Sequence, residues 1–448
     1  MIKINPKIFK AYDIRGIYPT DLNAKIAFLI GMAFAKKTGT KEVVVGRDMR
    51  NGGSILKNNL IKGLAAGGVE KIIDIGLVPI DGVYFSVSKL KYQTGIMITA
   101  SHNPKEYNGF KMIGKNLKVI RGVELLPIIK KLTLQKIVNK KIKITKKDIY
   151  AAHIKHILSF VNTKNIKPLK VVVDAGNGMA GKMIPKLEKY LPIKITRMNF
   201  KLDGNFPAHP SNPLDPKSQI SISKKIKQIK ADFGIIMDGD TDRLFFVDEQ
   251  GNFIAADLTL LLLAKAFLNK KPHSAIAYNI ICSKIVEEKI RTWGGKPIKT
   301  AVGFVNVAEG LKKHQGIMGG ELSAHYSFKD NGYFDSGFIA FVIMLELLSE
   351  YNQPLSKIIK PYTKYFKSPE INTPVADVKK KLAVIKKKYK QYKQNYLDGV
   401  TVDNWEKGGW WFNVRPSNTE PLLRLTIEAK KKSDLDKLRK KLVGLIKK

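Results

Sequence analysis

Short apolar runs closed by loops of glycine and aspartate punctuate this chain. Glu42-Val43-Val44-Val45-Gly46-Arg47-Asp48 and Lys170-Val171-Val172-Val173-Asp174-Ala175-Gly176-Asn177-Gly178 each read as a buried strand running into a loop and then a helix. A weaker third copy begins near Ser274-Ala275-Ile276-Ala277-Tyr278. Gly95-Ile96-Met97-Ile98 is a further buried strand, and apolar runs at 232–237 and 244–248 bracket an acidic loop. Apolar strands alternating with amphipathic helices predict mixed or parallel sheets, an α/β class built from several similar units. Gly176-Asn177-Gly178 by itself does not make a nucleotide site. The lysine-rich 140–147, the region after Gly251, and 361–374 with a proline at each end read as boundaries. They divide the chain into 1–147, 148–252, 253–366 and 367–448. The apolar run 258–268 is too short to span a bilayer and Lys265 interrupts it, so no membrane partner is expected.

Composition narrows the class. At 448 residues and 44% apolar content the chain exceeds one core and suggests three or four domains. A single cysteine, Cys282, excludes an internal disulfide framework and fits a reducing cytoplasm. The first ten residues are basic but precede no apolar secretory core, which also points to a cytoplasmic protein. The net charge of +41 is the unusual quantity. Lysine supplies most of it, in dispersed runs such as Lys130-Lys131, Lys140-Lys141, 379–381 and 386–388, without the interleaved aromatics of a nucleic-acid reader. It reads as a solvated surface under a compositional bias, and no specific nucleic-acid partner is expected. Such a field still speeds the approach of dianions and invites non-specific contact with polyanions.

Four segments carry candidate chemistry. In Thr99-Ala100-Ser101-His102-Asn103-Pro104-Lys105-Glu106-Tyr107-Asn108-Gly109-Phe110-Lys111, Ser101 sits where a strand gives way to a loop. Its hydroxyl is an oxygen nucleophile; His102 can shuttle a proton, Lys111 can balance phosphate charge, and Pro104 with Gly109 shapes the loop. In Asp238-Gly239-Asp240-Thr241-Asp242-Arg243, three carboxylates at alternate positions suit a hard cation such as Mg²⁺, with Gly239 allowing a tight bend. A helix-loop-helix calcium site also alternates aspartates, although the apolar 244–247 falls where it would still be supplying ligands; a plain acidic hairpin is the other reading. Glu321, Ser323 and His325 occur at every second position, so an extended segment would point all three one way, as a row able to read sugar hydroxyls. Arg415-Pro416-Ser417-Asn418-Thr419-Glu420-Pro421 concentrates phosphate-binding groups between two prolines.

These segments, in this order and with the opening Phe9-Lys10-Ala11-Tyr12-Asp13-Ile14-Arg15-Gly16, resemble the α-D-phosphohexomutases, phosphomannomutase/phosphoglucomutase branch, over essentially the whole chain. The resemblance implies three related mixed-sheet α/β domains and a smaller α+β C-terminal domain around a central cleft, carrying in turn the phosphoserine, metal, sugar and phosphate loops. It implies that Ser101 is the phosphoserine, that Asp238, Asp240, Asp242 and a phosphoserine oxygen hold Mg²⁺, and that Arg415, Ser417, Asn418 and Thr419 bind the non-reacting phosphate. Glu321 and Ser323 would contact sugar hydroxyls with His325 beside them, and Tyr12, Arg15, His102, Lys111 and Arg243 would line the reacting centre. Lys284 follows Cys282-Ser283 where relatives have a basic residue facing substrate; a solvated helix-face lysine is the alternative.

The implied activity interconverts mannose 6-phosphate and mannose 1-phosphate through a hexose 1,6-bisphosphate, in a monomer or weak homo-oligomer. Thr300-Ala301-Val302-Gly303-Phe304 is closer to glucomutase-like relatives, since phosphomannomutases often carry histidine after the glycine. The segment 321–337 is similar to the phosphomannomutase branch, so dual use of mannose and glucose phosphates is expected. Phosphoglucomutase as the main activity, a metal-dependent sugar phosphatase and a binder of acidic polymers are the alternatives.

Overall fold

Valines 43–45 and 171–173 are the centres of the strands Glu42–Arg47 and Lys170–Asp174, and all six are fully buried. A computed structural model of the protein describes residues 4–132, 142–417 and 422–447. They fall into two units: Met1–Ala255 with Ser323–Ile358, and Ala256–Leu322 with Ile359–Lys448.

The first unit contains a mixed sheet in the spatial order Ile14–Ile17, Tyr107–Ile113, Gly95–Ile98, Glu42–Arg47, Lys71–Leu77, Lys143–Lys146. The last four run parallel, and Tyr107–Ile113 is antiparallel to both its neighbours. Helix Ala24–Thr38 starts at Asn23, whose side chain accepts from the backbone of Lys25 and Ile26, and ends at Gly39 in the left-handed region. It packs on Gly53–Ala66, and together they bury one face of the sheet through Ile30, Phe34, Leu60 and Leu64. A second sheet runs Leu244–Asp248, Phe233–Met237, Lys170–Asp174, Lys194–Met198, with an antiparallel hairpin joined to parallel neighbours. Helix Gly337–Tyr351 is apolar nearly all round and accordingly buried, against the helix Tyr150–Leu158 and the strand Leu244–Asp248.

The second unit contains parallel strands Lys296–Thr300, Ala275–Asn279 and Met318–Gly320; the third strand–loop–helix copy is real, ending in helix Lys284–Thr292. It also contains an antiparallel sheet in which Leu422–Ala429 and Trp410–Pro416 are central. Helices Val378–Lys388 and Lys432–Lys447 share its core through Ile385, Phe412, Ile427 and Leu442.

Two of the three segments read as boundaries contain strands, and the region after Gly251 leads into helix Ala256–Lys270. Lys140 and Lys141 lie outside the described residues, but Lys143–Lys146 is an exposed strand at the sheet's edge, where lysines discourage pairing with another chain. Within 361–374, Phe366–Lys367 and Ile371–Pro374 both pair with Leu422–Ala429. The run 258–268 lies in helix Ala256–Lys270, and no helix among the described residues is long and apolar enough to cross a membrane.

Candidate active site

In the first unit, strand Gly95–Ile98 delivers its chain to Ser101, which is 1% exposed and left-handed at φ 51°. That conformation costs a non-glycine residue roughly 1–3 kcal/mol. The return is aim: Ser101 Oγ donates to Asp238 Oδ2 at 2.6 Å and lies 3.3 Å from His102 Nδ1. Asp238, Asp240 and Asp242 follow the strand Phe233–Met237 in the connection to Leu244–Asp248, an antiparallel hairpin that excludes a helix-loop-helix calcium site. Gly239 does not supply the left-handed bend; Thr241 does, at φ 72°. What Gly239 supplies is space, because a Cβ there would lie 3.0 Å from Ser101 O.

Lys111 and Arg15 approach from paired strands. Gly109 is a strand residue, not part of the loop as the sequence reading has it: it faces Arg15, and a Cβ on it would meet Ile14 O at 2.2 Å and Thr99 O at 2.7 Å. Lys111 Nζ bridges Asp240 Oδ2 at 2.8 Å and Asp242 Oδ2 at 2.5 Å. Burial opposes the lysine's charge, yet the two carboxylates raise its pKa further above neutrality. Arg15 is ion-paired with Asp13 at 2.8 Å and donates to Ala100 O at 3.2 Å and to Asn103 Oδ1. Arg243 donates its backbone N–H to Asp238 Oδ1 at 3.2 Å and bridges His325 backbone to backbone.

The aspartates do not titrate alike. Burial, reinforced by the charges of Asp242 and Asp240, pushes Asp238 up to about 8. Asp242 is equally buried, but Lys111 and His325 hold it well below the usual carboxylate range. Burial and the nearby Arg243 and Arg15 keep the His102 imidazole neutral at pH 7. The three carboxylates offer oxygens within 4.8 Å of one another, and Asp240 Oδ1 and Asp242 Oδ1 are buried without a hydrogen bond. A donor set of hard oxygens with unused lone pairs suits a hard cation.

The row of alternating side chains is not extended. After Met318–Gly320 the chain turns at Leu322 and Ser323, and Ala324 is left-handed at φ 64°. Ser323 and His325 belong to the first unit, where Ser323 Oγ and His325 Nδ1 are 2.8 Å apart and His325 Nε2 faces Asp242 at 3.4 Å and Asp335 at 3.8 Å. Glu321 belongs to the second unit, where its Oε2 accepts from Gly303 N at 3.0 Å and Asn279 Nδ2 at 3.4 Å. Tyr12 is half-buried, its ring 6.0 Å from the Arg121 guanidinium.

Also in the second unit, Arg415 Nη2 and Arg424 Nη1 each lie 2.6 Å from one oxygen of Glu370. Arg424 Nη2 donates to Ser417 Oγ at 3.4 Å. Asn418 and Thr419 lie outside the described residues. Lys284 begins a helix and pairs with Asp403 at 2.6 Å, so it is not a freely solvated lysine.

Residues 6–132, 148–251 and 255–365 match the phosphoglucomutase/phosphomannomutase α/β/α domains I, II and III, and 370–445 match the C-terminal domain of the same family. A phosphomannomutase of Vibrio cholerae is 38% identical over 459 residues, covering 97% of this chain and 98% of its own. The chain belongs to the phosphoglucomutase/phosphomannomutase family. It is thus a mutase, an isomerase of the intramolecular phosphotransferase kind. Phosphohexose mutases of Xanthomonas campestris are 37% identical (94% of this chain, 95% of theirs), and a phosphomannomutase of Methanocaldococcus jannaschii 36% (94% and 93%). Among solved structures, a family protein of Burkholderia thailandensis superposes with a TM-score of 0.88 at 31% identity (99% of this chain, 97% of that one). The Paramecium phosphoglucomutase parafusin shares the fold at 15% identity and TM-score 0.77 (99% and 96%).

Residue-by-residue reading of this mutase sequence misses Arg50, Thr99, Asp335, Glu370 and Arg424. Thr99 accepts from Ser101 N at 2.9 Å and donates to Asp240 at 3.0 Å, tying the serine loop to the aspartate loop. Thr99 lies two positions before Ser101, and Asp335 lies within 321–337, which are the signals the sequence offers for these two. The others pack beside their partners only after folding.

Proposed function

We propose that the chain interconverts mannose 6-phosphate and mannose 1-phosphate, acts on glucose phosphates as well, and does so through a phosphoserine at Ser101. One observation carries the reading: a buried serine hydroxyl 2.6 Å from Asp238 within a triad of aspartates, backed by a lysine. In the forward half-reaction the free sugar hydroxyl attacks phosphorus, the bond from phosphorus to Ser101 Oγ breaks, and a hexose 1,6-bisphosphate forms. After the bisphosphate turns over, Ser101 Oγ takes the other phosphoryl group and the isomeric monophosphate leaves.

Asp238, Asp240, Asp242 and a phosphoserine oxygen would hold Mg²⁺, which supplies charge neutralisation to the transferring phosphoryl oxygens. Lys111 and Arg15, both cations at neutral pH, contribute fixed positive charge at the same place. The attacking hydroxyl must lose its proton; Lys111, His102, His325 and Arg15 are the candidates to take or orient it, and His102 is an imidazole that burial keeps neutral and that lies against Ser101. Arg415 and Ser417, with Asn418 and Thr419, anchor the phosphate that is not reacting, and Lys284 is a further phosphate contact; Glu321 and Ser323 read sugar hydroxyls, with Tyr12, Arg243 and His325 lining the centre. The proposal includes the four-part division of the chain at 147, 252 and 366, a cytoplasmic location and a monomer or weak homo-oligomer.

A coupled assay offering mannose 1-phosphate, glucose 1-phosphate and glucosamine 1-phosphate in parallel tests it. Turnover of the first two, primed by a trace of hexose 1,6-bisphosphate, is expected. Preference for glucosamine 1-phosphate, or release of inorganic phosphate without isomer, would reject it.

A further inference from the structure

Arg50 is one of the largest side chains wholly buried in the first unit, at 2% exposure. Its guanidinium fans out under the nucleophile loop. Nη2 donates to Ser101 O at 2.6 Å and to Asn103 O at 2.5 Å; Nη1 donates to Pro104 O and Tyr107 O, both at 2.9 Å. Three backbone carbonyls of the loop and that of Tyr107, which opens the following strand, thus converge on one planar cation, a geometry that fixed, coplanar N–H groups can satisfy and an ammonium cannot. The cation is held from behind by Asp48, 3.6 Å from Nε, and stacks on Phe206 at 4.8 Å.

Ser101 is left-handed while its Oγ donates to Asp238 Oδ2, and its own carbonyl oxygen accepts hydrogen bonds from two side chains. Arg50 Nη2 and Ser211 Oγ, at 3.2 Å, are what that carbonyl meets. We infer that Arg50 is a positioning residue for the phosphoryl-transfer step: it locks the backbone of residues 101–107 so that Ser101 Oγ stays aimed into the aspartate triad, without touching substrate. The inference rests on the phosphoserine reading of Ser101 and adds to it the element that holds the nucleophile.

The test is Arg50→Lys, which keeps a buried cation and loses the fork. A misplacement of about 1 Å at a reacting atom costs on the order of 100-fold in rate. Expected for the folded variant are a kcat lower by about 100-fold, a KM for mannose 1-phosphate within twofold of wild type, and loading of Ser101 by hexose 1,6-bisphosphate slowed by the same factor in mass spectrometry. Methylguanidinium should restore part of that loading rate in Arg50→Ala. A kcat within threefold of wild type, a change confined to KM, or a loss that only tracks the unfolded fraction would overturn the inference. If neither variant folds, Phe206→Leu decides: a five- to tenfold loss of kcat at constant KM supports it, and an unchanged kcat rejects it. Inactive wild-type protein would instead sink the mutase reading, whereas active wild type with an equally active Arg50→Lys sinks only the role of Arg50.

Discussion

A serine hydroxyl is a weak nucleophile, and everything around Ser101 concerns aim and charge. Its left-handed backbone, the 2.6 Å contact to Asp238 and the lysine across two aspartates exist before any substrate arrives. Ser101→Ala should therefore reduce turnover to background while leaving the unfolding midpoint close to wild type, measured by coupled assay and thermal melt. Arg415→Ala should weaken binding of the substrate phosphate by roughly 1.5–3 kcal/mol, the range for hydrogen bonds to charged groups, read as a change in Kd. Chelation should abolish turnover and Mg²⁺ restore it. The residues themselves were largely legible, because a nucleophile, three alternating aspartates and an arginine loop are unusual in any order. Their pKa values were not: Asp238 and Asp242 are four positions apart in one loop, yet burial lifts the first and Lys111 with His325 lowers the second.

Elements meet at this site through absent side chains and buried polar contacts. Gly109→Ala would drive a methyl group into Ile14 O and Thr99 O, so a loss of about 1–3 kcal/mol in denaturant stability is expected, with a fall in turnover as strands Ile14–Ile17 and Tyr107–Ile113 part. Helix Ile80–Ser88 carries Asp81, whose Oδ2 accepts from Ser336 Oγ at 2.8 Å at the start of Gly337–Tyr351. Burial, with the charges of Asp335 and Asp242, pushes Asp81 up to about 8. His153, 3.6 Å away, is pushed down to about 3 by burial and stays neutral throughout the ordinary histidine range. The folded Asp81 thus keeps a proton that the unfolded chain, at about 3.9, has already released. Folded protein then binds more protons than unfolded, so stability falls as pH rises towards 8. Between pH 6.5 and 8 in metal-free buffer, Asp81→Asn should flatten part of that slope in urea unfolding; an unchanged slope would remove Asp81 from the account. Sequence periodicity found many of the strands and helices, but not that the lysine-rich segment 140–147 contains an edge strand, since pairing partners are distant in the chain.

At the scale of the molecule the +41 charge is expected to act on encounter, not on chemistry. Raising ionic strength from about 0.01 to 0.3 M should lower kcat/KM several-fold and leave kcat nearly constant, because screening shortens the reach of the field to a few ångströms. Equal loss in kcat would mean that salt acts on the site itself. The amino-acid sequence by itself determined the α/β class, the order of the four polar loops and the candidate nucleophile and acidic triad, because local period and residue type fix these. Tertiary structure alone decided that the sugar segment turns at Ser323, that Glu370 holds two arginines, and that Arg50 grips the serine loop. Those facts rest on carbonyls, carboxylates and guanidinium groups from distant positions meeting where burial removes much of their water and most of them pair with one another, and no short stretch of sequence records which partner that is.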